Sequence, residues 1–152
     1  MSLILLSVAL FHDEISVREE EGALVVSSPA GAGNFLFRLP PGFSRTESPA
    51  PPALFEAKRS GEGGGGRAEV RLLRTEPGPS DLDAHARLCA GALERSLPGA
   101  GAPEISGWGP KRIVVAASKE RMRILVLARD GGRLYELSAE GPPGDADLRA
   151  SV

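Results

Sequence analysis

The dipeptide Asp130-Gly131, set between two extended runs, constrains this chain more than any other feature. Asp-Gly between alternating apolar residues is a strong signal for a two-residue β-hairpin turn. The flanking runs are residues 121–129 and 133–140. A loop made of Asp130-Gly131 pairs Arg129 with Gly132, and the rest of the register follows. Met122, Ile124, Val126 and Ala128 then share one face with Tyr135, Leu137 and Ala139. A slip of one residue would turn that apolar face outward, so the pattern itself supports the pairing. The other face carries Arg123, Leu125, Leu127, Leu134, Glu136 and Ser138, with Leu127 directly opposite Leu134. Residues 111–117 are rich in β-branched side chains and join this hairpin through Ser118-Lys119-Glu120. Residues 111–140 therefore read as an antiparallel meander.

One helix stands beside it, over residues 80–97. Ser80 followed three residues later by Asp83 forms a capping-box pattern. Leu82, Ala86, Cys89, Leu93 and Leu97 fall on one stripe at helical spacing. Asp83 and Arg87 are one turn apart and can pair, and Pro98-Gly99 ends the run. The first half of the chain reads as short strands. Ile15 and Val17 alternate with polar residues, Glu20-Glu21-Gly22 turns, and residues 23–27 resume an extended run. Residues 28–34 form a loop on composition. Phe35, Phe37 and Leu39 share a strand face that Pro40-Pro41-Gly42 stops. Residues 54–59 read as a strand with Phe55 and Ala57 inward, and residues 67–74 as its partner. Between them runs a nearly pure glycine tract, residues 61–66, expected to be a flexible hairpin connection. Residues 145–152 look like the first two turns of a helix that breaks off. The expected fold class is α+β: an antiparallel sheet packed against the helix at 80–97, with a partial helix from 145. Residues 1–152 suit one domain, since a chain of 152 residues buries roughly 68–70% of its unfolded surface.

Composition narrows the function. The net charge of −2 lacks the basic excess of nucleic-acid binders. Fifteen arginines against three lysines, with 19 glycines and 13 prolines, fit a GC-rich bacterial genome better than a guanidinium site. The single cysteine, Cys89, forbids an internal disulfide and suits the cytoplasm, while remaining compatible with the periplasm. The apolar residues 3–11 are too few to span a bilayer. They also lack the charged start and cleavage site of a signal peptide, so a buried strand is expected there and no transmembrane segment.

No constellation of residues carries chemistry. Gly61, Gly63 and Gly66 match the dinucleotide fingerprint formally, but a strand follows where the mechanism needs a helix N-terminus. The same tract fails as a phosphate loop, because Arg67 and Ala68 stand where lysine and a hydroxyl are required. Asp81, His85 and Cys89 are spaced four apart on the helix. They could be drawn as metal ligands, or as orienter, base and nucleophile. Their positions favour a core cysteine, a boundary histidine and an aspartate placed well for the helix dipole. His12, beside Asp13 and Glu14, reads as a surface turn. The expectation is no enzyme, no cofactor and no metal.

Two features point to a protein partner instead. Leu125, Leu127 and Leu134 make an apolar patch on the second sheet face unless a terminal segment covers them. Trp108, within Gly107-Trp108-Gly109-Pro110, either anchors a partner or plugs the end of the core. These four residues are the candidate partner-binding set, and a second copy of the chain is among the candidate partners.

The run Asn34-Phe35-Leu36-Phe37-Arg38-Leu39-Pro40-Pro41-Gly42-Phe43 is an aromatic strand ending in a Pro-Gly turn. Followed by two strands, the helix, the meander and a helix start at Asp145, it resembles the PsbP/DcrB-like superfamily over residues 34–152. The strands before Asn34, the glycine tract and the broken final helix depart from that pattern. The resemblance implies an antiparallel sheet flanked by helices and a non-enzymatic, protein-binding role. One similar branch, the Eag-type chaperones, shields apolar segments of secreted effectors.

Overall fold

The computed structural model describes residues 15–27, 36–61, 66–130, 132–145 and 148–149. The apolar N-terminal stretch, His12, the loop at 28–34, Phe35, most of the glycine tract, Gly131 and much of the final helix lie outside the described residues.

The fold is α+β, and among the described residues every strand pairing is antiparallel. Three strands, β1 (Ser16–Glu20), β2 (Ala23–Ser27) and β3 (Leu36–Leu39), form a small sheet in sequence order. Seven more form a large sheet: β4 (Phe43–Arg45), β5 (Ala53–Arg59), β6 (Ala68–Thr75), β7 (Glu104–Ser106), β8 (Lys111–Ala117), β9 (Met122–Asp130) and β10 (Arg133–Gly141). Their spatial order is β4-β5-β6-β10-β9-β8-β7. The helix α1 (Leu82–Ser96) carries the chain from β6 in mid-sheet to the β7 edge, and the meander then returns until β10 pairs with β6.

Strict alternation divides the large sheet between two cores. On one face, Phe55, Ala57, Val70, Leu72, Ile124, Val126, Leu137 and Ala139 meet Leu24, Val26, Phe37 and Leu39 of the small sheet. Phe37 and Phe55 pack edge to face with ring centroids 6.3 Å apart. On the opposite face, Leu82, Ala86 and Ala90 of α1 lie on Val114, Leu125, Leu127 and Leu134. Leu148 also enters the first core, and Asp145 Oδ1 accepts from the Leu148 N–H at 3.0 Å.

The local signals for these elements differ from the sequence expectation in three places. Asp81, not Ser80, caps α1: its backbone is extended and its Oδ1 accepts from the Ala84 N–H at 3.0 Å. Asp83 pairs with Arg112 of β8 rather than with Arg87, through two charge-assisted hydrogen bonds at 2.6 and 3.3 Å. The β9–β10 hairpin pairs Asp130 with Arg133 and Arg129 with Leu134. That is two residues away from the register an Asp130-Gly131 loop would set. The expected faces survive, since a shift of two preserves alternation, but Leu127 now faces Glu136. Gly132, at φ +82°, supplies the left-handed residue of the turn. Strands β4 and β7 are short edge strands with no strong sequence signal.

Candidate functional site

The leucine patch expected on the open sheet face is covered. Leu125, Leu127 and Leu134 are 6%, 0% and 1% exposed, and α1 is what covers them. Neither terminal segment is needed for this. The helix that carries the chain to the β7 edge must cross this face, and its apolar stripe needs such a surface. As partner-binding residues these three leucines are corrected to core.

Trp108 is placed differently. It is 77% exposed, at the tip of the turn between β7 and β8. The backbone of that turn is pinned while the indole projects. The Lys111 N–H donates to the Trp108 carbonyl at 3.1 Å, and the Arg129 N–H donates to the Pro110 carbonyl at 2.8 Å. Arg112 donates through Nη1 to the carbonyls of Gly109 and Lys111, at 3.0 and 2.7 Å, and through its other nitrogens to Asp83. That guanidinium holds the Asp83 carboxyl below its usual range, chiefly by hydrogen bonding. Gly107 sits at φ +118°, and a Cβ there would collide with the Lys111 carbonyl oxygen. Beside this turn runs β7, at one edge of the large sheet, with all three residues exposed and Ile105 at 42%.

A second feature lies where α1 ends its cover. The helix spans the β7–β9 side of the sheet and reaches Leu134, so the same face over β6 and over β10 from Glu136 onward is open to a cavity of about 390 Å³. Its floor holds Arg71, Glu136 and Ser138, and Cys89, Ala92 and Leu93 of α1 form a wall. Register places Ser138 opposite Arg71, and Glu136 opposite Leu73. Arg71 Nε is buried without a hydrogen-bond partner. Among the described residues no hydrogen bond or ion pair reaches Glu136 either, and burial pushes its carboxyl up, with His85 pulling the other way. At the cavity's rim, Glu140 is matched by Arg121 and Arg123, at 2.7 and 2.8 Å.

The helical trio drawn as a possible metal or nucleophile site is dispersed in role. Asp81 caps the helix. His85 Nε2 is buried without a partner. Cys89 is half-buried, and burial, then Glu136, pushes its thiol up, away from the thiolate a nucleophile needs. Among the described residues no cluster of three or more His, Cys, Asp or Glu could hold a metal ion. No helix there is long and apolar enough to cross a membrane. Sequence reasoning missed the Arg71–Glu136 cavity. Both residues alternate correctly on their strands, and the one available clue is that the α1 stripe is too narrow to cover a seven-stranded face.

No protein-family model matches the chain, and no curated protein matches it. Among solved structures it is similar to the Ran-binding protein Mog1p of Saccharomyces cerevisiae, with a TM-score of 0.50 and 13% sequence identity. The match covers 84% of this chain and 77% of that one. At this identity the likeness is one of fold.

Proposed function

We propose that the chain is a non-enzymatic protein-binding domain of the bacterial cytoplasm, and that it engages its partner at the β7 edge through Trp108 and Ile105. The observation that carries this reading is the 77% exposed indole on a turn whose backbone is fixed by four hydrogen bonds. A large aromatic carried on a fixed backbone costs little backbone ordering entropy when a partner covers it, the usual character of an interface anchor. Among the described residues no strand pairs the outer side of β7, which leaves its backbone groups to an incoming extended segment. A second copy would satisfy this edge by pairing β7 with β7 across a twofold axis.

The similarity to a Ran-binding protein supports a partner of this general kind. The order of elements after Asn34 supports kinship with the PsbP/DcrB-like proteins. An Eag-type role, cradling an apolar client helix on the sheet, finds its expected leucine surface already occupied by α1.

The test is capture of partners from the source cell by the parent chain and by Trp108→Ser. The variant is expected to lose the partner while keeping its circular dichroism and unfolding midpoint. Because Trp108 is the single tryptophan, its fluorescence should also shift to the blue as the purified partner is added. Retention of the partner by Trp108→Ser, or loss of the fold, would place the indole outside the interface.

A further inference from the structure

The cavity between α1 and strands β6 and β10 is separate from the Trp108 edge and is not needed for that reading. We propose that it binds a free α-amino acid with an apolar side chain: Arg71 takes the carboxylate, Glu136 the ammonium, and Cys89, Ala92 and Leu93 receive the side chain.

Three observations lead there. The floor holds cationic Arg71 and anionic Glu136, neither of which makes a hydrogen bond or ion pair among the described residues, and Glu69, two residues before Arg71 on its strand, is a further carboxylate of the lining. At the rim, by contrast, Arg121 and Arg123 pair with Glu140. Arg71 and Glu136 are diagonal neighbours on adjacent strands, a spacing of about 7–8 Å between backbone positions. That leaves room for a headgroup between the two side chains. A simple anion would leave Glu136 unpaired, and a simple cation would leave Arg71 unpaired. A buried polar group left unmatched is costly, which favours a ligand carrying both charges. The helix wall is apolar on the side facing the floor, and the volume of about 390 Å³ falls within the range of small-molecule pockets. Ser138, opposite Arg71, is a further hydrogen-bonding group within reach of the headgroup.

The test is an amide NMR titration of the full chain with L-leucine in the millimolar range, repeated with isovalerate and with isoamylamine. Each control keeps the branched side chain and only one of the two charges. Saturable shifts centred on Cys89, Leu93 and Ser138 are expected for leucine, with at least about tenfold weaker binding of either control. Glu136→Gln and Arg71→Gln should each weaken leucine binding by a similar factor. Ala92→Trp, on an exposed position of α1, should block the cavity while touching neither charge, so one readout survives if a charge variant misfolds. The proposal is overturned if leucine gives no saturable shifts, or if a singly charged control binds equally well. It is also overturned if the folded variants leave affinity unchanged, or if the shifts centre on the Trp108 turn.

Discussion

Glu136 shows how one residue can be correct in pattern and unfavourable in place. It faces Leu127 on β9 and Leu73 on β6, beneath the end of the helix cover. Burial holds its carboxyl above the ordinary glutamate range, and His85 offsets this only in part. Between the ordinary glutamate value and the raised one, the folded chain keeps a proton that the unfolded chain has released. Stability should fall as pH rises from the ordinary glutamate range through the raised folded value. Glu136→Gln removes that ionisation, so the variant should unfold at a higher urea midpoint than the parent at neutral pH and lose the advantage in acid. A lower midpoint at neutral pH would mean that the carboxylate has a stabilising partner. Asp83 has the opposite sign. Arg112 holds its carboxyl down, so its contribution is present above the ordinary aspartate range and is lost as pH falls through the lowered value. The sequence shows both carboxylates plainly. What it does not show is which cation reaches each, because Arg112 is 29 residues from Asp83 and only the sheet topology joins them.

At the scale of elements, the helix and the meander were legible because each repeats a period over many residues. Leu82, Ala86, Cys89 and Leu93 announce a helix, and the runs around residue 130 announce strands. The face that the helix covers was not legible, because it follows from β6 being paired to β10 rather than from any local signal. The hairpin register escaped for a related reason: two registers differing by two residues present identical faces, and Gly132 at positive φ decides between them. Burial of the leucines reverses what a substitution there should do. Leu127→Ala should cost about 2–5 kcal/mol in urea unfolding, the usual loss for a core leucine. Leu127→Asp should unfold the chain instead of merely removing a surface contact. A folded Leu127→Asp by circular dichroism would show that α1 does not seal this face. The Trp108 turn offers a second check. Gly107→Ala must resolve both a strained φ and a collision with the Lys111 carbonyl, so it should cost on the order of 1–3 kcal/mol. It should also weaken partner capture even though Trp108 is intact.

Across the whole molecule, one charged group fastens together segments that are distant in sequence. Arg59, at the end of β5, donates from Nε to the Gly66 carbonyl at 2.9 Å and lies 5.3 Å from the Phe43 ring centroid. Its Nη2 pairs with Asp145, 86 residues away, and both side chains are nearly buried. The same Asp145 accepts from the Leu148 N–H and so sets the turn that seats Leu148 in the core between the sheets. The sequence offers Arg59 as an ordinary strand terminus and Asp145 as a helix start, with nothing to couple them. Removing one partner of a pair this buried leaves an uncompensated charge, so Asp145→Ala should cost about 3–5 kcal/mol. Removing both charges relieves that penalty. The double variant Arg59→Met/Asp145→Ala should therefore be less destabilised than the sum of its single variants, and the coupling is readable from urea unfolding of all four proteins. Simple additivity would mean that Arg59 and Asp145 act independently, and that Leu148 is held by its packing alone.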